Sequence, residues 1–439
     1  MSLPATLTTL LTAFQRCFTT PTFANFSALV LGLIRQTAAR TVCGMLTGAR
    51  LEQRWHHSRA HWLFSHAKSS ADALGLILAD LIVARLIPAD AALTVAIDDT
   101  LLHRSGRSVH AAGWCHDGAA KAPEKIACGE QLRCRGLVIT LPFMTRPVCL
   151  PVLFRLWQPT PKPKGKTKPK GKTQGQGKTQ GKGVTKLVLA RQLIDALAER
   201  YPDRTIHVVA DAAYATGAMA GLPAHVSVTS RLRRNAVLYD LAPPPTGKRG
   251  RPRRRGGRLP TPADLAAAAS WDKATVTRYG RQEQVWVAVR RCLWYGVFGA
   301  QQVRVVLVRE TDPNDKDGKG GYDLALAATD LDSPAVEIVA RYAARWSIEV
   351  AIFDAKQTAG VGQARNRTPR AVERTVPFGL LCLSLVIVWY ALAGHSPEVV
   401  AERRRRAPWY ACKANPSVAD MFAVLRRGAD RRRISPTTP

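Results

Sequence analysis

Apolar positions along the first 88 residues recur with helical spacing. Two runs show this most clearly, FSALVLGLIRQTAARTVCGML at residues 26–46 and SADALGLILADLIVARLI at residues 70–87. Apolar side chains at intervals of three or four residues form one buried stripe along a helix. The pattern predicts a helical N-terminal domain over residues 1–88, which we regard as a candidate DNA-binding module.

The hydrophobic period changes after residue 88. Short apolar runs rich in β-branched residues now alternate with a helical pattern at residues 185–201, TKLVLARQLIDALAERY. Such runs are typical of buried strands. The predicted strands are 93–100, 135–144, 147–157 and 205–214. An α/β fold follows for residues 89–227, beginning with antiparallel strands.

Residues 228–330 have a different character. A basic loop is followed by strand-like runs such as QVWVAVRRCLWYG and QQVRVVLVRE, and a helical pattern returns at residues 333–357. The distance from the strand at 205–214 to that helix is far longer than an ordinary connection. A β-rich insertion domain over 228–330 is therefore expected, before the chain completes its core over residues 331–395.

The segment VPFGLLCLSLVIVWYALAG, residues 376–394, is about as long as a membrane span. Pro377 lies near its start and Ser384 lies inside it. We interpret it as a buried core helix and expect no membrane partner. Residues 396–439 are predicted to form a basic C-terminal tail.

The charge of the chain indicates its partner. The formal net charge is +32, and the sequence pI is about 10.5. Such a chain is expected to bind a polyanion, with DNA as the first candidate and an anionic membrane as the second. The nine cysteines are odd in number and contain no CxxC pair, which favours free thiols in a reducing compartment. We expect a bacterial cytoplasmic protein at the nucleoid.

Residues 158–186 form a low-complexity segment of Lys, Gly, Pro, Thr and Gln. This composition predicts a disordered basic loop. It contains Gly-Lys-Thr triplets, which also occur in phosphate-binding loops. Such a loop requires another glycine five residues before the glycine of the triplet. Lys166 and Lys172 occupy that position for the triplets at Gly171 and Gly177. No nucleotide cofactor is therefore expected.

Two other groups of residues offer weaker metal sites. Cys115, His116, Cys128 and Cys134 could hold zinc, but their spacing fits no standard zinc pattern. The stretch RWHHSRAHWLFSHAK, residues 54–68, contains four histidines. We interpret it as a basic, aromatic surface or a half-buried helix rather than as a metal cluster.

Carboxylates supply the strongest candidate chemistry. Asp98 and Asp99 end one predicted strand, Asp211 ends another, and Glu349 lies on a helix far downstream. Oxygen ligands of this kind suit Mg²⁺ or Mn²⁺, and two such ions can catalyse phosphodiester cleavage. Adjacent strand residues point to opposite faces, so only one of Asp98 and Asp99 can belong to the site.

The helical stretch RYAARWSIEVAIFDAKQ, residues 341–357, carries both charges and aromatic rings on one side. At about 100° per residue, a continuous helix places Tyr342, Arg345, Glu349 and Lys356 within an arc of roughly 60°. Trp346 lies at the margin of this face. Cations suit phosphates and aromatic rings suit unpaired bases. The alternative is a solvated face with ordinary ion pairs.

These residues resemble the IS4-type DDE transposases. Tyr342, Arg345, Glu349 and Lys356 match the spacing of their YREK signature, and VADAAY resembles their second-aspartate motif. IDDT followed by HRSG resembles the first-aspartate motif of the related IS701-like branch, which favours Asp98 over Asp99. The resemblance spans roughly residues 90–395.

The resemblance implies an RNase H-like catalytic core in which Asp98, Asp211 and Glu349 hold two Mg²⁺ or Mn²⁺ ions. It implies that Tyr342, Arg345 and Lys356 hold the DNA backbone and that a homodimer acts on two transposon ends. The expected activity is endonucleolytic cleavage and strand transfer, as in transposition. A domesticated nuclease and a non-catalytic DNA-binding protein remain as alternatives.

The basic loop of the insertion contains Arg249-Gly250-Arg251-Pro252, the core of an AT-hook. An extended segment of this kind can enter a narrow minor groove. The alternative, which we favour slightly, is that Arg249 and Arg251 bind phosphates without sequence preference.

Overall fold

The computed structural model describes residues 4–106, 108–118, 120, 125–158, 184–244, 251–313 and 321–431. It has a mixed α/β architecture built on one large sheet. The helices are α1 Ala5–Thr12, α2 Thr20–Arg35, α3 Val42–Gly48, α4 His57–Ser65, α5 Ala71–Leu86, α6 Lys186–Arg200, α7 Pro262–Ala267, α8 Tyr295–Phe298, α9 Ala335–Ala344, α10 Trp346–Gln357, α11 Pro369–Trp389, α12 Glu398–Arg406 and α13 Val418–Arg431. The predicted disordered loop lies mostly outside these residues.

Ten strands form the sheet. They are β1 Leu93–His103, β2 Gly113–His116, β3 Ile126–Ile139, β4 Val148–Trp157, β5 Ile206–Ala210, β6 Val226–Arg231, β7 Asp272–Arg278, β8 Arg281–Leu293, β9 Gln302–Arg309 and β10 Leu324–Ala328. Their order is β2-β3-β1-β5-β6-β10-β9-β8-β7, with β4 paired to β3. β3 pairs antiparallel with both β1 and β4, which agrees with the predicted antiparallel start of the sheet.

The centre of the sheet is parallel. β5 runs parallel to β1, and β6 runs parallel to β5. The apolar, β-branched residues of these strands are buried, as expected of strands covered on both faces. The helix α6, which ends the β4-to-β5 connection, returns the chain so that β5 runs parallel to the first half of β1 and ends opposite Ile97.

Helix α11 is a core helix. Its side chains are almost continuously buried from Ala371 to Trp389. It is apolar and long enough to cross a membrane, but 83% of its most apolar window is buried inside the protein. Ser384, which would be costly in an apolar core, donates to the Pro151 carbonyl oxygen at 2.8 Å. Burial by the surrounding elements explains its composition.

The strands between residues 228 and 330 continue the central sheet. β10 pairs with β6, and β9, β8 and β7 follow antiparallel to one another. Their apolar face packs with α9 in a second hydrophobic cluster containing Val276, Val306 and Ile338. The β-rich segment is thus joined to the core by strand pairing.

Two segments differ from the sequence predictions. The helix expected over residues 333–357 divides into α9 and α10 at Arg345, where Ile348 N–H bonds to the Arg345 carbonyl three residues earlier. Such tight turns interrupt regular α-helix. Residues 396–439 are predicted to be a basic tail, but the described part of this range contains α12 and α13, and Phe422 and Leu425 of α13 are buried in the core.

Candidate active site

Asp98 and Asp99 lie near the middle of β1 and point to opposite faces of the sheet, as strand geometry requires. The Asp98 carboxylate lies 3.9 Å from the Arg345 guanidinium. Asp99 instead forms an ion pair with Arg133 of β3, its cross-strand neighbour, and accepts a hydrogen bond from the Tyr214 hydroxyl at 3.4 Å. Only Asp98 therefore faces the helix that carries Glu349.

Arg345 is the centre of this cluster. Its Nη2 lies 2.9 Å from Glu349 Oε1, and its guanidinium lies 5.7 Å from the centre of the Tyr342 ring. Burial acts to lower the pKa of Arg345, but Tyr342, Glu349 and Asp98 outweigh it, so that the pKa is raised. One half-buried cation thus joins the first carboxylate of β1 to the carboxylate of α10.

Asp211 follows the last residue of β5. Ala210 pairs with Ile97 in the parallel ladder, so Asp211 and Asp98 are the next residues along their two strands. Neighbouring strands lie about 4.8 Å apart. Burial raises the pKa of the Tyr342 hydroxyl, and the negative charge of Asp211 contributes to the same shift. Asp211 therefore lies on the Tyr342 side of the cluster.

The protonation of Asp98 is sensitive to this environment. Burial raises the pKa of Asp98 to about 6, against the lowering effects of the Asp99 backbone N–H and of Arg345. Asp99 and Glu349 raise it further through charge repulsion. A carboxyl in this position favours any nearby cation strongly when it is ionised.

The arrangement is not a preformed metal centre. Among the described residues, no three His, Cys, Asp or Glu side chains lie close enough together to hold one metal ion. The Arg345 guanidinium lies between Asp98 and Glu349 and neutralises them instead. The donor set itself consists of carboxylate oxygens, which is the chemistry that Mg²⁺ and Mn²⁺ prefer.

The remaining predicted site residues are less closely grouped. Lys356 Nζ donates to the Leu101 carbonyl oxygen of β1 at 3.1 Å, and burial lowers its pKa. The lysine is therefore near β1 but beyond the Asp98–Arg345–Glu349 contacts. Trp346 is 49% exposed. Arg251 is exposed, whereas Arg249 lies outside the described residues.

Sequence reasoning missed a buried basic layer behind Asp99. Arg133 and Arg135 of β3 are 2% and 0% exposed. The Arg135 guanidinium donates to the Cys134 carbonyl oxygen at 2.7 Å and lies 5.6 Å from the Tyr214 ring centre. Burial lowers the pKa of Arg135 to about 10. The available signal in the sequence was that Arg133 and Arg135 are two residues apart, and so share one face of a strand, beside an apolar run.

The weaker metal hypotheses are not supported by the geometry. Cys134 is fully buried in the core, away from the exposed hairpin that carries Cys115 and His116. Around α4, His61 Nε2 lies 3.6 Å from Cys43 Sγ, and His57 packs edge-on against His61. Within the part of the chain that the structure describes, these histidines and cysteines form no group of three that could hold a metal ion.

Comparison with known families places this geometry in context. A family model described as DDE superfamily endonuclease matches residues 13–298, and the chain belongs to this family. No curated protein matches the chain. The matched residues include Asp98, Asp99 and Asp211 but end before Glu349. The class is therefore that of DDE nucleases, which act on DNA and typically use divalent metal ions.

Proposed function

We propose that this chain is a DDE transposase that cleaves DNA at transposon ends and transfers the freed 3′-hydroxyl to target DNA. One observation carries the proposal. Asp98 and Glu349, which are far apart in sequence, share the cation Arg345, and Asp211 stands beside Asp98 on the paired strand. A merely structural role would not require Glu349 to share the cation of Asp98, with Asp211 on the neighbouring strand.

In this proposal Asp98, Asp211 and Glu349 hold two Mg²⁺ or Mn²⁺ ions. Bound there, the ions would activate the attacking oxygen and stabilise the leaving oxygen of the phosphodiester. Asp99 is not a ligand, because its carboxylate pairs with Arg133 on the other face. The ionised form of Asp98 is the ligand form, and the raised pKa of this carboxyl makes metal affinity pH-dependent.

Arg345 has two roles in the proposal. It compensates Asp98 and Glu349, and it would be free to bind DNA phosphate if metal ions compensated these carboxylates instead. Tyr342 packs against Arg345, and Trp346 offers an exposed ring for a base. Lys356, fixed to β1 near the cluster, adds a second cation for the DNA backbone. Arg249 and Arg251 would add phosphate contacts from the basic loop.

Several finer assignments complete the proposal. The three antiparallel strands β4, β3 and β1, followed by the parallel strands β5 and β6, support an RNase H-like core. The spacing of Tyr342, Arg345, Glu349 and Lys356 supports the IS4 group, and IDDT supports its IS701-like branch. Joining two transposon ends would require a homodimer, acting at the bacterial nucleoid. Helices before residue 88 and the β-rich segment 228–330 would provide further DNA contacts.

The experiment compares wild type with Glu349→Gln on DNA carrying the element ends, with Mg²⁺ and with EDTA. Glu337→Gln, an exposed acid on the neighbouring helix α9, is the matched control. Wild type and the control are expected to cut only with Mg²⁺, and Glu349→Gln is expected to bind DNA without cutting it. Equal cutting by wild type and Glu349→Gln would reject the site.

The same assay separates the alternatives. Cleavage without joining of the 3′-hydroxyl to target DNA identifies a domesticated nuclease. Binding without any metal-dependent cleavage by wild type identifies a non-catalytic DNA-binding protein, in which the carboxylates serve only to pair Arg345.

A further inference from the structure

An exposed tryptophan lies far along the chain from the candidate active site. Trp409 follows α12 in the short turn Pro408–Tyr410, and its side chain is 79% exposed. Tryptophan carries the largest apolar surface of any side chain, so exposing it forgoes the stabilisation that its burial would give. Exposed apolar surface of this kind marks a binding surface when its neighbours point to a partner.

The neighbours of Trp409 are cations. The last turn of α12 contains Arg403, Arg404, Arg405 and Arg406, all exposed. The Arg403 guanidinium lies 5.1 Å from the Tyr410 ring centre, which fixes Tyr410 beside the helix. Among the described residues, no cation lies over the Trp409 ring. The indole makes a tilted contact with the Tyr410 ring, with the ring centroids 6.2 Å apart. It is otherwise exposed beside a basic turn in which Arg406 also pairs with Glu402.

This surface is anchored to the sheet. Asn415 Nδ2 donates to Thr145 Oγ1 at 2.7 Å, which holds the segment after Trp409 against the β3–β4 turn. The β7–β8 turn meets the same place, because a Cβ on Gly280 would lie only 2.7 Å from the Thr145 carbonyl oxygen. Three separate segments thus hold the region in place.

The β7–β8 turn contributes a second exposed ring. Tyr279 is 53% exposed and has φ = 51°. A bulky residue with positive φ is strained, and a two-residue hairpin turn would tolerate Asn or Gly at lower cost. Arg146 of the β3–β4 turn, also exposed, lies against this turn. The aromatic and basic character therefore extends beyond α12.

We propose that Arg404, Arg405, Arg406, Trp409 and Tyr279 form a DNA-binding surface, which we call the Trp409 surface. The arginines bind backbone phosphates, and the indole stacks on a base whose face is open at an unpaired or terminal nucleotide. Charge complementarity selects DNA over a second copy of this chain, since two surfaces with three arginines each repel. The choice of DNA as the partner rests on the proposed function.

The test measures binding in EDTA, so that no cleavage occurs. Two fluorescent probes are used, a blunt duplex and the same duplex with a single-stranded overhang. Trp409→Ala is expected to weaken overhang binding by about 5- to 150-fold and blunt-duplex binding by less than about twofold. Trp409→Tyr, which keeps a stacking ring, should restore binding, and Trp409→Leu should not.

The arginines predict a different signature. Arg405→Gln should weaken binding to both probes alike and reduce the slope of log affinity against log salt by about one unit. Trp409→Ala should leave that slope unchanged. Equal binding of wild type and Trp409→Ala to both probes would overturn the proposal. Two other results would overturn it. One is that Trp409→Leu restores binding while Trp409→Ala abolishes self-association of the protein, and the other is that Trp409→Ala weakens binding only to anionic lipid vesicles.

Two native thiols give an independent footprint. Cys412 is exposed three residues after Trp409, and Cys43 is exposed on α3. Overhang DNA should slow maleimide labelling of Cys412 more than that of Cys43. Labelling of Cys412 that is unaffected by saturating DNA counts against the surface. Binding is measured in EDTA and without cleavage, so a failure of cleavage and a failure of this surface are distinguishable.

Discussion

Asp98 and Asp99 are chemically identical neighbours, yet they have different cationic partners on the two faces of β1. Asp98 is partly buried against α10, where Arg345 approaches it at 3.9 Å and is shared with Glu349. Asp99 is more exposed but pairs directly with Arg133, which is almost fully buried. One carboxylate has a shared, loosely held partner, and the other has a dedicated one.

The difference shows how adjacent residues of one strand can have a reactive role on one face and a structural role on the other. A carboxyl with a raised pKa and a shared cation can exchange that cation for a metal ion. A carboxylate that pairs with a buried arginine cannot bind elsewhere without leaving the buried guanidinium charge uncompensated. We infer that the Asp98 face is built for reaction and that the Asp99 face is built to keep β1 and β3 in register.

The largest expected effect is on cleavage. Asp98→Asn removes a proposed metal ligand and should lower Mg²⁺-dependent cleavage by at least about 10³-fold, because the loss falls on the reacting phosphate. Asp99→Asn should cleave at a far higher rate than Asp98→Asn when both are assayed well below their melting temperatures. The measurement is single-turnover cleavage of end-containing DNA. The reverse ranking would make Asp99 the ligand.

A smaller effect is expected on stability. Asp99→Asn leaves the buried Arg133 without its carboxylate and should lower the free energy of unfolding by about 3 kcal/mol. The control is Asp240→Asn, because Asp240 pairs with Arg290 at 2.8 Å with both side chains about half exposed. Its cost should be below about 1 kcal/mol. Urea denaturation monitored by fluorescence gives both values.

Equal costs for these two variants would contradict the comparison. They would mean that water compensates Arg133 as well as it compensates Arg290. Asp98→Asn extends the comparison of the two aspartates, because it removes a half-buried carboxylate whose pKa is already raised. It should cost less stability than Asp99→Asn.

The carboxylates on β1 and after β5 could be predicted from sequence. LTVAIDDT and TIHVVADAAY are apolar, β-branched runs with carboxylates near their ends, and the parallel pairing of β1 with β5 places Asp98 and Asp211 on neighbouring strands. The predicted end of the first strand differs from the structure, because β1 continues past Asp98 and Asp99 to His103. The position of Glu349 followed from helical spacing. The choice of Asp98 over Asp99 came from a resemblance; the structure now adds a geometric reason for it.

Other features could not be predicted. β3 begins at Ile126, nine residues before the predicted strand, because Glu130, Arg133 and Arg135 interrupt its apolar pattern although all three are buried. Their burial depends on partners from other segments, such as Arg104 for Glu130. The division of the helix at Arg345 was also missed, since no Pro or Gly marks it. Pairing of β10 with β6 depends on long-range contacts that periodicity does not encode.

The smallest expected effect is a change in the free energy of unfolding on replacing Asp354 of α10. It tests whether this face of the sheet tolerates a carboxylate without a cationic partner. Burial raises the pKa of Asp354 on α10 to about 6, and no other cause contributes. The folded protein therefore binds this proton more tightly than the unfolded chain, so stability is greatest below pH 4 and is lost as pH rises to about 6. Asp354→Asn should raise the free energy of unfolding at pH 8 by about 1–2 kcal/mol.

The pH dependence decides the interpretation of that gain. The advantage of Asp354→Asn over wild type should disappear near pH 4, where the wild-type carboxyl is already neutral. Asp203→Asn, at an exposed position, should change stability by less than about 0.5 kcal/mol at either pH. A gain that persists at pH 4 would mean that the amide makes new contacts. A loss at pH 8 would mean that Asp354 has a partner when ionised, and that this face, like the Asp99 face, compensates its acids.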